Sequence, residues 1–212
     1  MAALPALQGK ARIREDSSAR ILRAAEKVFA QSGMAGATMA QIATAAGMPT
    51  PTVHYYFRDK LTLYQAVLEH ILRLWLEETA VISEDSDPRE ALSAYIRAKM
   101  RFARTYPDAS RVFAAEIMAG APHAQPFLDS VLRPLVDRKA AVVEAWNREG
   151  KLRDVDPRHL LFLIWAATEF YANFSAEVAA LVEPVLDQAE RIERAADSIV
   201  AIVLHGCLPR DG

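Results

Sequence analysis

Apolar residues recur along this chain at intervals of three and four positions, and alternating β-branched stretches are absent. This period places the apolar side chains on one face of a helix, so it predicts an all-α protein. Capping residues and helix breakers divide the pattern into nine predicted helices. They span residues 17–32, 38–46, a short segment from 50, 59–83, 88–106, 108–119, 126–149, 157–181 and 184–206. Pro134 is expected to bend the seventh.

The second and third predicted helices form a distinctive pair across a glycine. Ala43 is small enough for two helices to cross closely, Gly47 can adopt the positive φ of a tight turn, and Val53 can pack the later helix onto the earlier one. A helix-turn-helix has this spacing, and its second helix enters the major groove of DNA. The pattern predicts sequence-specific DNA binding, with Thr50 as the cap and Pro51 as the first residue of the recognition helix.

The distribution of charge agrees with a DNA-binding N-terminal part. The chain has 212 residues, 52% of them hydrophobic, which favours a packed core over a disordered chain. Its net charge is −2, but residues 1–60 carry eight basic and four acidic side chains, whereas residues 61–212 carry 17 and 23. The positive part is the one with the helix-turn-helix pattern, as contact with phosphates requires. An offset this small can also arise by chance.

The pattern and the charge divide the chain into three parts. Residues 1–16 are expected to form a flexible basic arm, which can lie along DNA phosphates or remain a solvated tail. Residues 17–60 form the expected DNA-binding head, and residues 61–212 form a regulatory domain for ligand binding and dimerisation. The fourth predicted helix, roughly 36 Å long at 1.5 Å per residue, can join the head to that domain.

Candidate DNA contacts are polar side chains of the arm and the head. They are Arg14, Thr38, Thr50, Thr52, His54, Tyr55, Tyr56 and Lys60. Thr38 and Lys60 are at helix starts, where phosphates bind, whereas Thr50 and Thr52 are in the turn that faces base edges. Tyr56 can equally be a core anchor of the head. The recognition helix has no Lys or Arg before Arg58, so weak direct reading of guanine is expected.

The eighth predicted helix carries the candidate ligand site. Residues 160–174 are almost wholly apolar, yet Glu169 is among them, and Trp165 is four residues earlier on the same face. An aromatic plane beside a carboxylate can hold a flat polar ring, but Glu169 can equally pair with a structural cation. The candidate ligand residues are Trp75, Lys99, Phe102, Glu116, Phe162, Trp165 and Glu169. Trp75 can instead belong to the core, and Lys99 can be a surface lysine.

Enzymatic chemistry is not predicted. The five histidines show no metal-ligand spacing, and the sequence has neither a glycine-rich phosphate loop nor a nucleophile elbow, so no catalytic residue, metal or cofactor is expected. The single cysteine, Cys207, excludes an intramolecular disulfide and fits a reducing cytoplasm. The most apolar run, 160–167, is too short to span a membrane, and no signal peptide is evident, so a cytoplasmic protein is expected.

Three groups of residues near the start of the chain form a specific combination. They are Ala24-Ala25 with Phe29 and Gly33, Thr38 with Ile42-Ala43 and Ala46-Gly47, and Tyr55-Tyr56-Phe57 with Lys60 and Leu63. This combination resembles the DNA-binding domain of the tetracycline-repressor (TetR/AcrR) family, and the length and nine-helix layout extend the resemblance over the whole chain. It implies a homodimer that pairs through its eighth and ninth helices. A two-fold dimer reads a pseudo-palindromic site in double-stranded DNA.

Segments 106–122 and 156–174 are similar to the pyrimidine-utilisation regulator (RutR-like) branch of that family. The similarity implies a small nucleobase such as uracil as the effector. Glu169 stands where that branch has a glutamine of the ligand pocket, and Pro49 stands where the family usually has a serine before the recognition helix. An ionised carboxylate cannot donate a hydrogen bond, so Glu169 favours a cation or a donor-rich ligand over uracil.

The sequence therefore predicts a ligand-responsive regulator, most simply a repressor that a small metabolite releases from its operator. A regulator that activates is an alternative, because the sign depends on where the operator is. So is a response to an unrelated amine, purine or hydrophobic ligand. A helical carrier or enzyme that uses the C-terminal pocket belongs to a different class, and specific retention of DNA would distinguish it from a regulator.

Overall fold

The computed structural model describes residues 4–78, 81–182 and 187–209, with the backbone alone for residues 4–13, 77 and 78. Within these ranges the regular elements are all helical, which confirms the predicted all-α class. The helices are α1 (Leu4–Gly36), α2 (Met39–Ala46), α3 (Thr50–Tyr56), α4 (Lys60–Glu78), α5 (Pro88–Thr105), α6 (Pro107–Met118), α7 (Gln125–Phe127), α8 (Arg133–Arg148), α9 (Pro157–Asn173), α10 (Ser175–Leu181) and α11 (Gln188–Cys207). A π-helix, Leu128–Leu132, connects α7 to α8.

Short polar residues fix the starts of several helices. Thr38 accepts a hydrogen bond from the Gln41 N–H at 3.2 Å, and the Gln41 side chain accepts one from the Thr38 N–H, so α2 begins with a capping box. Asp87 and Asp156 cap α5 and α9 in the same way, each followed by a proline in the first turn. These starts agree with the predicted ones, because the capping groups are adjacent in sequence to the helices they cap.

Two predicted helix starts are wrong. The first helix begins at Leu4 rather than at Ser17, so the part of the expected arm from residue 4 onward is helical. Pro5 does not prevent this, because it is in the first turn, where its missing N–H has no intrahelical partner to lose. In the recognition helix, Thr50 is the first helical residue and Pro49 takes the cap position without a side-chain hydrogen bond.

The helix ends of the C-terminal part also differ from the prediction. Helix α4 ends at Glu78, before the predicted 83, and residues 79 and 80 are outside the described range. The segment predicted as one helix over 157–181 is divided at Phe174 into α9 and α10. The last helix is capped by Asp187, and its predicted start at Pro184 is outside the described residues.

The π-helix precedes Pro134, where the sequence predicts a bend. Proline has no N–H to donate to the carbonyl four residues earlier, so the α-helical hydrogen-bond pattern cannot pass through this point unchanged. The interruption divides the predicted seventh helix into α7, the π-helix and α8. Four residues of this region, Phe127, Leu128, Leu132 and Leu135, line the cavity described below.

Two apolar cores hold the helices together. The first comprises buried side chains of α1 to α4, such as Ile42 and Leu63, and extends to Val112 of α6. The second is formed by α5, α8, α9 and α11 around the fully buried Trp146. Since the first core continues into α4 and α6, the head and the regulatory part share packing, and the predicted boundary after residue 60 stays a prediction. No helix in the described ranges is long and apolar enough to cross a membrane.

Candidate functional site

The turn between α2 and α3 has the geometry of a helix-turn-helix. Gly47 is in the left-handed region, with φ 61° and ψ 39°, and Ala43 and Val53 are buried where the two helices meet. The Arg20 guanidinium of α1 donates to the Ala46 carbonyl and so holds the turn against the rest of the head. The three residues therefore have the roles that their spacing predicts.

The recognition helix α3 presents a polar, aromatic surface. Tyr55 is 74% exposed, and its ring meets the ring of Tyr56 edge-on with 5.3 Å between centroids. Tyr56 is half-buried and packs on the core of the head, whereas Thr50 and Thr52 are half-buried at the start of the helix. His54 is exposed, with its Nδ1 3.0 Å from the Arg58 carbonyl oxygen. Tyr55 is thus the large side chain of α3 that is free to reach a partner.

The other candidate DNA contacts differ in how they are held. The Lys60 ammonium donates to the carbonyls of Ala35 and Ala37, at 3.2 and 2.8 Å, and so joins α4 to the end of α1. Its predicted phosphate contact stays a prediction, and its observed contacts are structural. Thr38 is exposed but engaged in its capping box. Arg14 is exposed on the helical N-terminal segment.

A cavity of about 510 Å³ opens between α4, α5, α6, α9 and the segment 127–135. Its volume is in the range of small-molecule sites. Most of the lining is apolar. The lining residues are Leu72, Trp75, Leu76, Tyr95, Lys99, Phe113, Ala114, Ile117, Met118, Phe127, Leu128, Leu132, Leu135, Trp165, Glu169 and Asn173. Four of the seven predicted ligand residues are therefore brought together in one cavity.

An ion pair forms the polar part of this cavity. The Lys99 Nζ is 3.2 Å from Glu169 Oε1 and 4.3 Å from the centroid of the Trp75 ring. Lys99 is only 5% exposed, so it is not a surface lysine, and its ammonium gains both a carboxylate and an aromatic face in place of water. Because Lys99 is the more deeply buried partner, Glu169 is the half of the pair that a ligand reaches more easily.

Further polar groups line the cavity. The Trp165 Nε1 donates to the Tyr95 hydroxyl at 2.7 Å, which fixes the indole. Within the described ranges, Trp75 Nε1 and Asn173 Oδ1, on two of the lining residues, have no hydrogen-bond partner, although both atoms are buried from solvent. Sequence reasoning missed Asn173 and did not assign Tyr95 to the site, although Tyr95 precedes Lys99 by four residues on one helix face.

Three predicted ligand residues do not line the cavity. Phe102 is buried behind Trp75, with 6.0 Å between the ring centroids. Phe162 is 48% exposed and is seven residues before Glu169, so it shares that face of α9 but lies about two turns away from Glu169 along the helix. Glu116 is buried beside α4 and accepts hydrogen bonds from protein groups, including the Tyr64 hydroxyl at 3.0 Å. These three residues are therefore outside the cavity lining, and their contact with a ligand stays a prediction.

Glu26 is at the junction between the head and α6. Its carboxylate accepts a hydrogen bond from the Ala109 N–H in the first turn of α6 and is near Asp108. Burial, and secondly the Asp108 charge, raise the pKa of Glu26 from 4.5 to about 7, while the Ala109 hydrogen bond opposes this shift. Asp108 itself pairs with Arg111 at 3.0 Å. The protonation of Glu26 near neutral pH therefore affects the contact that its carboxyl group makes between α1 and α6.

We predict that Glu26 makes the stability depend on pH. An acid whose pKa is raised in the folded state stabilises fully below its unfolded value of 4.5, and this contribution is lost as the pH rises to about 7. With allowance for partial exposure to solvent, the loss is on the order of 1–2 kcal/mol. Glu26→Gln, which copies the neutral acid, should remove this part of the profile.

Urea unfolding gives the unfolding free energy of wild type and Glu26→Gln at about pH 5 and at about pH 8. The effect is the change in unfolding free energy between these pH values in the wild type minus the same change in Glu26→Gln. Glu177→Gln on the exposed surface of α10 is the matched control. Parallel profiles for wild type and Glu26→Gln would contradict the prediction.

Two family models together match nearly the whole chain. Residues 21–67 match the family of bacterial regulatory proteins, tetR family, and residues 68–210 match the YcdC-like protein, C-terminal region. The second match alone spans more than half of the chain. The chain belongs to the TetR family. This confirms the family that the residues of the head predict.

Relatives of this TetR-family chain are transcriptional regulators. The chain is 40% identical over 190 residues to the HTH-type transcriptional regulator RutR of Escherichia coli (strain K12), a match that covers 90% of each chain. It is 29% identical over 162 residues to the HTH-type transcriptional repressor NicS of Pseudomonas putida, covering 71% of this chain and 73% of NicS. The prediction of a transcriptional regulator of this family, similar to its RutR-like branch, is confirmed.

Solved structures share the TetR-family fold. The putative transcriptional regulator SCO4942 from Streptomyces coelicolor superposes with a TM-score of 0.70 at 26% identity, over 89% of this chain and 96% of SCO4942. AibR in complex with isovaleryl coenzyme A and operator DNA gives a TM-score of 0.70 at 20% identity, over 88% of this chain and 97% of AibR. At that identity the AibR comparison supports the fold alone.

Proposed function

We propose that this chain is a dimeric repressor that binds double-stranded operator DNA through α3 and releases it when a small effector occupies the cavity. The observation that carries the proposal is the cavity with its Lys99–Glu169 pair, bordered by α4. Only three residues separate the end of the recognition helix from the start of α4, so a shift of α4 changes the orientation of α3. The name of the relative NicS as a repressor supports repression rather than activation.

The cavity favours a planar effector with adjacent donors and acceptors. Trp75 and Trp165 offer ring faces, the Lys99 ammonium can donate, and the Glu169 carboxylate can accept. Since Lys99 already compensates the charge of Glu169, the cavity does not require a cationic ligand. We therefore favour a neutral nucleobase-like molecule over an amine, which revises the preference inferred from Glu169 alone.

The proposed dimer uses an exposed apolar stripe on the outer side of α9 and α11. Its members are Phe162, Leu163, Phe170, Phe174 and Ile202. An apolar stripe of this kind indicates an interface, because each large side chain that leaves water stabilises the complex. The ninth helix predicted from the sequence corresponds to α11, and the predicted eighth helix comprises α9, which carries the stripe, and α10, which is outside the proposed interface. A two-fold axis between the subunits would place the recognition helices about one DNA turn apart, near 34 Å.

Thermal unfolding with a panel of uracil, thymine, guanine and small amines tests the effector class. A ligand at 100 times its dissociation constant stabilises the folded state by about 2.7 kcal/mol, which shifts the unfolding temperature measurably. A shift with the pyrimidines supports the proposed class, and a shift with amines alone contradicts it. Retention of one DNA sequence from a randomised library tests the regulator itself, since a carrier would retain DNA without preference.

We predict that Glu169→Ala weakens the response to the effector that the panel identifies but leaves operator binding intact. The loss of a hydrogen bond to a charged group is expected to lower effector affinity about 10- to 100-fold. Titration calorimetry measures the affinity, and Glu177→Ala on α10 is the control for removal of an exposed carboxylate. If operator binding collapses in Glu169→Ala, Glu169 is a structural partner of Lys99 and not an effector contact.

A further inference from the structure

Glu116 of α6 joins three segments of the chain. It is 3% exposed, and its carboxylate accepts hydrogen bonds from the Tyr64 hydroxyl at 3.0 Å, from the Ala124 N–H at 2.9 Å and from the His123 N–H. Tyr64 belongs to α4, and the two N–H groups belong to the turn between α6 and α7. A buried carboxylate is stabilised only if donors compensate for its lost hydration. The three hydrogen bonds therefore hold α6, α4 and the turn after α6 to one another.

All three segments are connected to the cavity wall, since the third, α4, contributes Leu72, Trp75 and Leu76 to it. Phe113, Ala114 and Ile117 of α6 line the cavity, and so does the segment 127–135, which follows the turn. The turn itself has little freedom, because Ala121 has a φ of 56°, in the region that favours glycine, and donates its N–H to the Glu116 carbonyl oxygen at 2.8 Å. A change in the separation of these walls is therefore transmitted to the Glu116 carboxylate.

The third segment leads to the head. The Tyr64 ring meets Phe29 of α1 edge-on with 4.9 Å between centroids, and α1 packs directly against α2 of the helix-turn-helix. Burial, and secondly the Glu116 charge, raise the pKa of the Tyr64 phenol above its usual range, so the hydroxyl remains a donor to Glu116. The contact is thus a directed hydrogen bond between α6, which lines the cavity, and a residue of the first core, which also contains the buried side chains of the head.

We propose that Glu116 carries the effector signal from the cavity to the DNA-binding head through its hydrogen bond to Tyr64. The inference rests on the proposed function, in which occupancy of the cavity weakens operator binding. An occupant that displaces α6 or the segment 127–135 moves the carboxylate, and the Tyr64 hydroxyl follows because it donates to that carboxylate at 3.0 Å. Glu116 is a positioning residue in this scheme and does not contact the effector.

A cavity-filling substitution tests the route without a known effector. In Ala114→Phe the added ring occupies the cavity from α6, as a tethered ligand would, and Tyr64→Phe removes the hydroxyl but keeps the ring against Phe29. Operator affinity is measured by fluorescence anisotropy for wild type, both single variants and the double variant, with a duplex that the wild type selects from randomised DNA. Circular dichroism checks folding, and Ala114→Leu replaces Ala114→Phe if the latter does not fold.

The expected result is a coupling between the two positions. Ala114→Phe should lower operator affinity at least about five-fold, within the usual range of allosteric coupling, and Tyr64→Phe alone should change it less than two-fold. The double variant should regain most of the lost affinity. An equal loss with and without the hydroxyl would overturn the role of Glu116, and so would an unchanged affinity in Ala114→Phe.

The effector panel on the wild type distinguishes these failures from failure of the proposed function. If a ligand releases both the wild-type protein and Tyr64→Phe from DNA equally, the proposed repressor function is supported. The role of the Glu116–Tyr64 hydrogen bond in transmitting the signal is then contradicted. If no sequence is selected from randomised DNA, the proposed function fails before the route is in question.

Discussion

A Leu163→Glu variant is expected to be monomeric and to bind its operator about 100- to 10,000-fold more weakly than the wild type, since two linked heads bind far better than one. Leu163 is 56% exposed in the apolar stripe of α9. In a dimer that buries this stripe, each new carboxylate would be desolvated without a partner, which costs several kcal/mol. Multi-angle light scattering gives the mass, and anisotropy with the selected duplex gives the affinity.

Leu181 on α10 supplies the control for this prediction. It is 76% exposed and is not part of the stripe, so Leu181→Glu adds the same charge to another exposed leucine and should remain dimeric. A dimeric Leu163→Glu protein would exclude this part of α9 from the interface. Dissociation of both variants would place the interface more broadly on this side of the regulatory part.

A Tyr55→Ala variant is expected to lose about 10- to 100-fold in operator affinity while its unfolding temperature stays close to that of the wild type. The ring is largely exposed, so its removal takes little from the core. A hydroxyl that donates to a charged phosphate contributes about 1.5–3 kcal/mol, which corresponds to this loss. Binding is measured with the selected duplex, and unfolding is followed by circular dichroism.

Tyr55→Phe separates the hydroxyl from the ring. An affinity loss equal to that of Tyr55→Ala would assign the effect to the phosphate hydrogen bond, and a smaller loss would assign part of it to the ring. Tyr56→Phe is a useful comparison, because the half-buried Tyr56 keeps its packing on the head in that variant. Wild-type affinity in Tyr55→Ala would remove Tyr55 from the set of DNA contacts.

Sequence reasoning succeeds where the relevant groups are near each other in the chain. The helix start at Thr38, the turn at Gly47 and the starts at Asp87 and Asp156 all depend on neighbours within a few residues. The pair Trp165 and Glu169 follows from a four-residue spacing, and both residues line one cavity. Local chemistry determines these features, so the sequence contains them directly.

The sequence does not determine the partners of isolated polar residues in apolar helices. Glu116 and Glu169 are both acidic residues within apolar helical segments, so the sequence does not distinguish them. In the structure, Glu169 pairs with Lys99 in the cavity, whereas Glu116 binds Tyr64 and the turn after α6. Those partners are 70 and 52 residues away in the chain, so only the tertiary packing distinguishes the two acids. Phe162 shares a helix face with Glu169 but is about two turns away from it, and only the tertiary packing determines how far the cavity extends along α9.

The buried position of Cys207 simplifies the measurement of motion in this protein. It is the chain's single cysteine, and burial raises the pKa of its thiol, so thiol-reactive labels at neutral pH react with it slowly. A cysteine introduced at Arg58, whose side chain is 88% exposed just beyond the recognition helix, would then be the one readily labelled site in each subunit. In the proposed dimer, spin labels at this position would report the distance between the two DNA-binding heads, with and without effector, while the native thiol stays in place.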